Sequence, residues 1–312
     1  MNAAADAPGA TSEIVRQAEE FVHELEAVRR MSAHTVDSYR RDLRILTAGV
    51  GGDAAAVTTN DIRRLLAAEG KRKIKPSSVA RRLAAWRMFF EYLRKKGRIN
   101  TNPARAARAP KKPARLPRAL TPDETAHFLD APDGNENGAA ARRDAAMFEL
   151  LYSAGLRVGE LTALDVCDVD CESGAAHIRR GKGGRGRVAP FGDAARRALR
   201  EWLPQREGLN PADEALFINL RGKRISARAV QLRTAARAQA RGSAGRISPH
   251  VLRHSCASHF LQSSGDLRAT QDLLGHADIA STQIYTRLDF QNLARTYDRA
   301  HPRAAKNRPG GS

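Results

Sequence analysis

Apolar positions recur at three- and four-residue steps through the first ninety or so residues, the period of helices with one buried face. Ile14, Ala18, Phe21, Leu25 and Val28 mark a first helix that opens after Ser12. Ser32 is placed to cap a second, carrying Val36, Tyr39, Leu43 and Leu46. A shorter third follows Thr59 with Ile62, Leu65 and Leu66. Ser77 is placed to cap a fourth, whose apolar face holds Val79, Leu83, Trp86, Phe90 and Leu93, with Gly97 as its stop. Residues 12–102 therefore predict a small four-helix domain. Residues 1–11 offer little to bury and predict a disordered terminus.

The pattern breaks at residues 103–120. Four prolines, six cationic residues and no acid between Pro103 and Ala119 predict a basic linker, long enough for two domains to close around a duplex. Thr121-Pro122-Asp123-Glu124 then reads as a helix start, with Thr as cap, Pro in the first turn and Glu at the capping-box position. Residues 121–312 form a second domain. Arg142 to Ala154 reads as a buried helix ended by Gly155, and Ala175–Arg180 and Arg187–Phe191 as short strands joined by the turn GKGGRG. Further helices are predicted around Ala194–Trp202, Ala227–Ala240, Pro249–Gln262, Leu267–Leu274 and Ser281–Leu288. The fold class is mainly α, with one small antiparallel β-sheet in the second domain. Phe290, Leu293, Ala294 and Tyr297 make residues 290–300 amphipathic enough to dock on a neighbouring subunit or back on their own domain.

Charge narrows the partner. The 312 residues include 53 Lys plus Arg against 34 Asp plus Glu, a formal net charge of +19. A globular chain this basic points to a polyanion, nucleic acid before ribosome or membrane surface. The cations crowd the second half of the first predicted domain: Arg63, Arg64, Lys71, Arg72, Lys73, Lys75, Arg81, Arg82, Arg87, Arg94, Lys95, Lys96 and Arg98. Such a run is usually a solvated face. Here only Asp61, Glu69 and Glu91 interrupt it, which favours a surface that meets DNA. Three cysteines, Cys167, Cys171 and Cys256, fit neither a disulfide framework nor a common zinc spacing. The chain shows no signal-peptide pattern and no apolar run long enough to span a bilayer, so a reducing cytoplasm is expected.

Candidate chemistry sits in the second domain. Arg157 lies in GLRVGEL just past Gly155, where a side chain can enter a cleft, and Glu160 is placed to begin the next helix and to hold that loop or an arginine. Lys182 rides the glycine-rich turn. Ser248 and Pro249 start a helix whose first turn carries His250 and Arg253, beside backbone N–H groups that favour an anion. His250 and His254 lie four apart, but no carboxylate stands at the spacing a zinc protease helix needs. His276 follows a helix-ending Gly275, and Tyr285 lies nine residues on. Taken singly, His276 reads as a helix-terminus residue and Tyr285 as a core or rim residue. Together the set can surround a phosphodiester and attack it with a phenol, needing no metal and no nucleotide cofactor.

Arg157 in GLR-x-x-EL, Lys182 in the hairpin turn, His250 and Arg253 as H-x-x-R, His276 in LGH and Tyr285 nine residues later make the chain resemble the tyrosine recombinases. Two departures are Arg185, where that family often has lysine, and Gly159, where serine is frequent. The resemblance spans nearly the whole chain, and the ending after Gln262 looks most like the Xer branch, whose members resolve chromosome dimers. It implies a SAM-like, core-binding first domain and a catalytic second domain. It also implies that Arg157 and Arg253 clamp the phosphate, Lys182 protonates the leaving 5′ hydroxyl, His250 and His276 assist proton transfer, and Tyr285 is the nucleophile. Double-stranded DNA carrying a specific site, a XerD-type recombinase in a heterotetramer and an FtsK-type translocase are the implied partners. A phage or transposon integrase, a type IB topoisomerase and a non-catalytic DNA-binding protein are the competing readings.

Overall fold

The structure, a computed structural model, describes residues 12–29, 31, 33–72, 74–110, 119–130, 138–179, 186–243, 247–275 and 287–304, without the side chains of 33–34 and 287–292. The chain divides into two compact units, residues 1–115 and 116–312.

In the first unit α1 (Glu13–Ala27), α2 (Ala33–Val50), α3 (Thr59–Lys71) and α4 (Pro76–Lys95) enclose a core that includes Phe21, Leu25, Leu46, Trp86, Phe89 and Phe90. Two helix starts differ from the sequence reading. The cap of α3 is Thr58, whose hydroxyl accepts from Asp61 N while the Asp61 carboxylate accepts from Thr58 N. For α4 the cap is Lys75 and not Ser77, because Pro76 has no N–H to satisfy and its fixed φ suits the first helical position. Ser32, the expected cap of α2, lies outside the described residues, as do residues 1–11. Gly97 ends α4 with φ +71°, and Arg98 N reaches back to Leu93 O.

Some of the cations expected on a DNA-facing surface already have partners within the first unit. Arg82 pairs with buried Glu69 and Asp42, Arg81 also with Asp42, and Arg87 donates to the carbonyls of Ala104 and Ala107. Arg63, Lys71, Arg72, Lys75, Lys95 and Lys96 remain exposed, and Lys73 falls outside the described residues. The Arg87 bonds also show that the Pro-rich stretch starts as a packed segment: Ala104 and Ala107 are buried in the core of the first unit. Small apolar side chains between the prolines allow that approach.

The second unit is built around α6 (Ala139–Ser153), which packs against α8 (Asp193–Glu207) and α10 (Pro249–Ser264). Preceding α6, α5 (Pro122–Leu129) carries the Thr121–Glu124 capping box that its sequence predicts. A three-stranded antiparallel sheet, β1 (Val169–Asp170), β2 (Ala175–Ile178) and β3 (Arg187–Pro190), pairs Ile178 with Arg187 at the hairpin end. The turn between β2 and β3, residues 180–185, lies outside the described residues. Short α7 (Val158–Ala163) starts two residues before Glu160, where the sequence predicts a helix start, and two-residue β1 is too short to show a period. The remaining helices are α9 (Ala227–Ala240), α11 (Leu267–Leu274) and α12 (Arg287–Ala300). Of the helix predicted over residues 281–288, residues 281–286 are not described. No helix among the described residues is long and apolar enough to cross a membrane.

The last helix packs on its own domain. Leu293, Tyr297 and Ala300 join the core that holds α6 and α10, and Tyr297 stacks on His301 at 4.4 Å between ring centroids. Inside that core the hydroxyls of Ser153 and Tyr297 lie 2.6 Å apart, and Gly192 N donates to Ser153 Oγ at 3.0 Å. Ser153→Ala strands a buried amide and a buried phenol together. A cost of about 1–3 kcal/mol is expected, read as a lower urea midpoint for the second unit's unfolding.

Candidate active site

The site begins where α6 stops. Gly155 has φ +56°, and a Cβ there would lie 3.1 Å from Leu274 Cδ2 and 3.3 Å from Cys256 Sγ, so the turn needs glycine both for its conformation and for its space. Leu156 N returns to Leu151 O, and the next residue, Arg157, caps α7. Glu160, at the third position of α7, reaches back: Oε2 accepts from Arg157 N at 2.9 Å and Oε1 from Arg157 Nη1 at 2.7 Å. The sequence expectation that Glu160 would hold this loop or an arginine matches that geometry.

Two more guanidiniums meet the same carboxylate. Arg187, the first residue of β3, grips it with both arms, Nη1 to Oε1 and Nη2 to Oε2, each at 2.9 Å. Arg253, one turn into α10, lies with Nη1 3.8 Å from Oε2. Arg253 also donates to Gly155 O and, at 2.6 Å, to Leu274 O. Arg187 Nε donates to Leu273 O at 3.3 Å. The carbonyl end of α11, where the helix dipole is negative, is thus met by two cations.

This geometry sets the protonation states. Burial alone would raise the Glu160 pKa, but the hydrogen bonds and charge of Arg187, followed by those of Arg157, bring it down to about 2. Arg253 is lowered to about 10, first by burial and then by the positive charge of Arg157. The cluster carries three cations on one anion and is electrostatically suited to a second anion. Arg157 is the member open to one, with a third of its side chain exposed against less than a tenth for Arg187 and Arg253.

α10 presents the other expected residues as its sequence implies. Ser248 Oγ accepts from Val251 N and Pro249 holds the first position. His250 is exposed on the first turn, whereas Arg253 is buried, so the two share a turn but differ in access. Lys182, His276 and Tyr285 lie outside the described residues. Thus Arg157 and Arg253 meet at Glu160, with His250 at the start of the helix that carries Arg253. Arg187 was not among the sequence candidates. Its signal was its place on the inward face of a strand, alternating with buried Ala189, where a charge demands a partner.

A family profile described as the phage integrase family matches residues 118–292, and one described as its N-terminal SAM-like domain matches residues 18–97. The chain belongs to the phage integrase family of tyrosine recombinases. As a tyrosine recombinase it is a DNA breaking and rejoining enzyme. It is 48% identical over 299 residues to a tyrosine recombinase XerC of Pseudomonas aeruginosa, covering 94% of this chain and 97% of that one. A tyrosine recombinase XerC of Xanthomonas campestris pv. campestris is 46% identical over 305 residues, 96% and 92% of the respective chains. Among solved structures, a lambda integrase dimer bound to a core site aligns with TM-score 0.65 at 21% identity, covering 87% of this recombinase and 99% of that chain. The Tn1549 transposon integrase with circular intermediate DNA aligns with TM-score 0.69 at 17% identity, covering 90% and 99%. At those identities the structures establish the fold alone.

Glu160→Gln removes the one charge that the three arginines share, and is expected to cost on the order of 3 kcal/mol, since breaking a buried pair leaves its cations unpaired. The pH dependence follows from the depressed carboxyl. Its contribution is fully present above an ordinary value of 4.5 and is lost as pH falls through about 2. Urea titrations of wild type and Glu160→Gln should therefore converge on acidification across that window.

Proposed function

We propose that the chain is a XerC-type site-specific recombinase that cuts one strand of double-stranded DNA with Tyr285 and rejoins it through a 3′-phosphotyrosyl intermediate. The observation that carries this reading is the convergence of Arg157 and Arg253 on Glu160. Two guanidiniums from the starts of α7 and α10, gathered at one carboxylate, make a preorganised receptor for a phosphate. The 46–48% identity to XerC relatives over nearly the full length favours this reading over a phage or transposon integrase.

In the proposed reaction the scissile phosphate sits against Arg157 and Arg253, which hold its non-bridging oxygens and stabilise the charge that gathers there in the transition state. Tyr285 Oη forms the new bond to phosphorus as the bond to the 5′ oxygen breaks. Lys182 gives that oxygen its proton, and the phenolic proton leaves through the pair His250 and His276. A free phenol has a pKa near ~10, so the surrounding cations also lower the cost of its anion. The phosphodiester's bond energy is kept in the phosphotyrosyl link, and attack by a 5′ hydroxyl of another strand reverses the step. The chemistry consumes no nucleotide cofactor and requires no metal.

The partners follow from the same reading. A XerD-type recombinase supplies the other active sites of a tetramer on two DNA sites, and an FtsK-type translocase triggers it, so that chromosome dimers become monomers before cell division in the cytoplasm. Residues 12–102, within the first unit, serve as the core-binding domain, with Arg63, Lys71, Arg72 and Lys75 among the exposed cations for phosphate contact.

On a nicked suicide substrate, Tyr285→Phe should bind DNA normally and form no covalent adduct; an adduct from that variant excludes Tyr285 as nucleophile. Arg157→Ala should slow adduct formation by about 10²–10³. A rate near wild type would remove Arg157 from the phosphate clamp.

A further inference from the structure

From the way Arg187 is held, we infer that it is a positioning residue of the strand-cleavage reaction, bracing the phosphate clamp through Glu160. The inference rests on the clamp proposed for Arg157 and Arg253. Arg187 makes no use of its charge at the surface: only 4% of its side chain is exposed. Its guanidinium is bound on two sides, by both oxygens of Glu160 and by Leu273 O. Nε, Nη1 and Nη2 are thus all engaged by acceptors inside the protein.

What it holds are two elements that bear on the reaction. Through the two-armed grip on Glu160 it fixes the carboxylate that orients Arg157. Through Leu273 O, and through contact with its own stem, it fixes the end of α11. Gly275 has φ +63°, and a Cβ there would come 2.7 Å from Arg187 Cδ, so that turn lies directly on the arginine side chain. Gly275 immediately precedes His276 in the chain, and Arg187 opens the strand that follows the Lys182 turn. One side chain therefore ties the Arg157 loop, the strand after Lys182 and the helix end before His276 into a single rigid piece. Arg253 secures the neighbouring carbonyl, Leu274 O, in the same manner.

A lysine cannot replace this arrangement. An ammonium's three donors leave a single nitrogen, so they cannot span two carboxylate oxygens in parallel and a carbonyl on another side as the planar guanidinium fork does. Methionine fills the stem's volume without any donor.

The test uses the full-length protein with Arg187→Met, Arg187→Lys, Glu160→Gln, the double variant Arg187→Met/Glu160→Gln and Tyr285→Phe. Thermal unfolding, DNA affinity and single-turnover adduct formation on a nicked suicide substrate are measured for each. A positioning role predicts that Arg187→Met binds DNA within ~3-fold of wild type but forms adduct about 10²-fold more slowly, the scale of a small misplacement of reacting groups. Arg187→Lys should fail to restore the rate. The double variant should be no slower than the worse single variant, because both act through one contact. Adduct rates of Arg187→Met or Arg187→Lys within ~3-fold of wild type, once scaled by the folded fraction, overturn the inference. So do additive losses in the double variant. Should Arg187→Met fail to fold, the comparison rests on Arg187→Lys, for which the same rate criterion decides. A wild-type protein that forms no adduct, or a Tyr285→Phe protein that does, would instead overturn the proposed reaction itself.

Discussion

One buried carboxylate organises the second domain's functional end. Glu160 receives two hydrogen bonds from Arg157 and two from Arg187, with Arg253 at 3.8 Å. Without it, three guanidiniums would stand together in a partly dry space, where their mutual repulsion and desolvation would destabilise the fold. With it, the cations are held apart at fixed angles and still exceed the negative charge. Stability and binding thus impose opposite demands on one place. The carboxylate satisfies the first without cancelling the second.

Glycine and helix ends make that convergence possible. Gly155 lets the chain leave α6 and turn at once into Arg157, and Gly275 lets α11 end against the stem of Arg187. The carbonyls exposed by the end of α11, Leu273 O and Leu274 O, become acceptors for two of the arginines. Groups that every helix leaves unpaired are here put to use as anchors for charge.

Much of this was legible in the sequence, for identifiable reasons. Long amphipathic helices and the Thr121 capping box follow from short-range rules, so their positions could be read directly. The likeness carried by Arg157, Lys182, His250, Arg253, His276 and Tyr285 pointed to the tyrosine recombinase family, because six residue types in order are hard to meet by chance. The caps of α3 and α4 shifted by one or two residues, because several hydroxyls and a proline compete for each helix start. Arg187 escaped notice since its partners, Glu160 and Leu273, are distant in sequence, and in a chain this rich in arginine a further one draws no attention. The burial of Ala104 and Ala107 was hidden by the prolines and charges around them.

Leu120, the last residue before the second domain's opening capping box, is tied to α10 twice. Its N–H donates to Ser255 Oγ at 2.9 Å and its carbonyl meets His259 Nε2 at 2.7 Å. Since that carbonyl can only accept, Nε2 carries the proton, and Nδ1 accepts from the Tyr152 hydroxyl at 2.9 Å. Ser255 and His259 sit on the helix whose first turn bears His250 and Arg253. The segment that enters the second domain is therefore moored to α10, the helix that carries His250 and Arg253, before it opens α5.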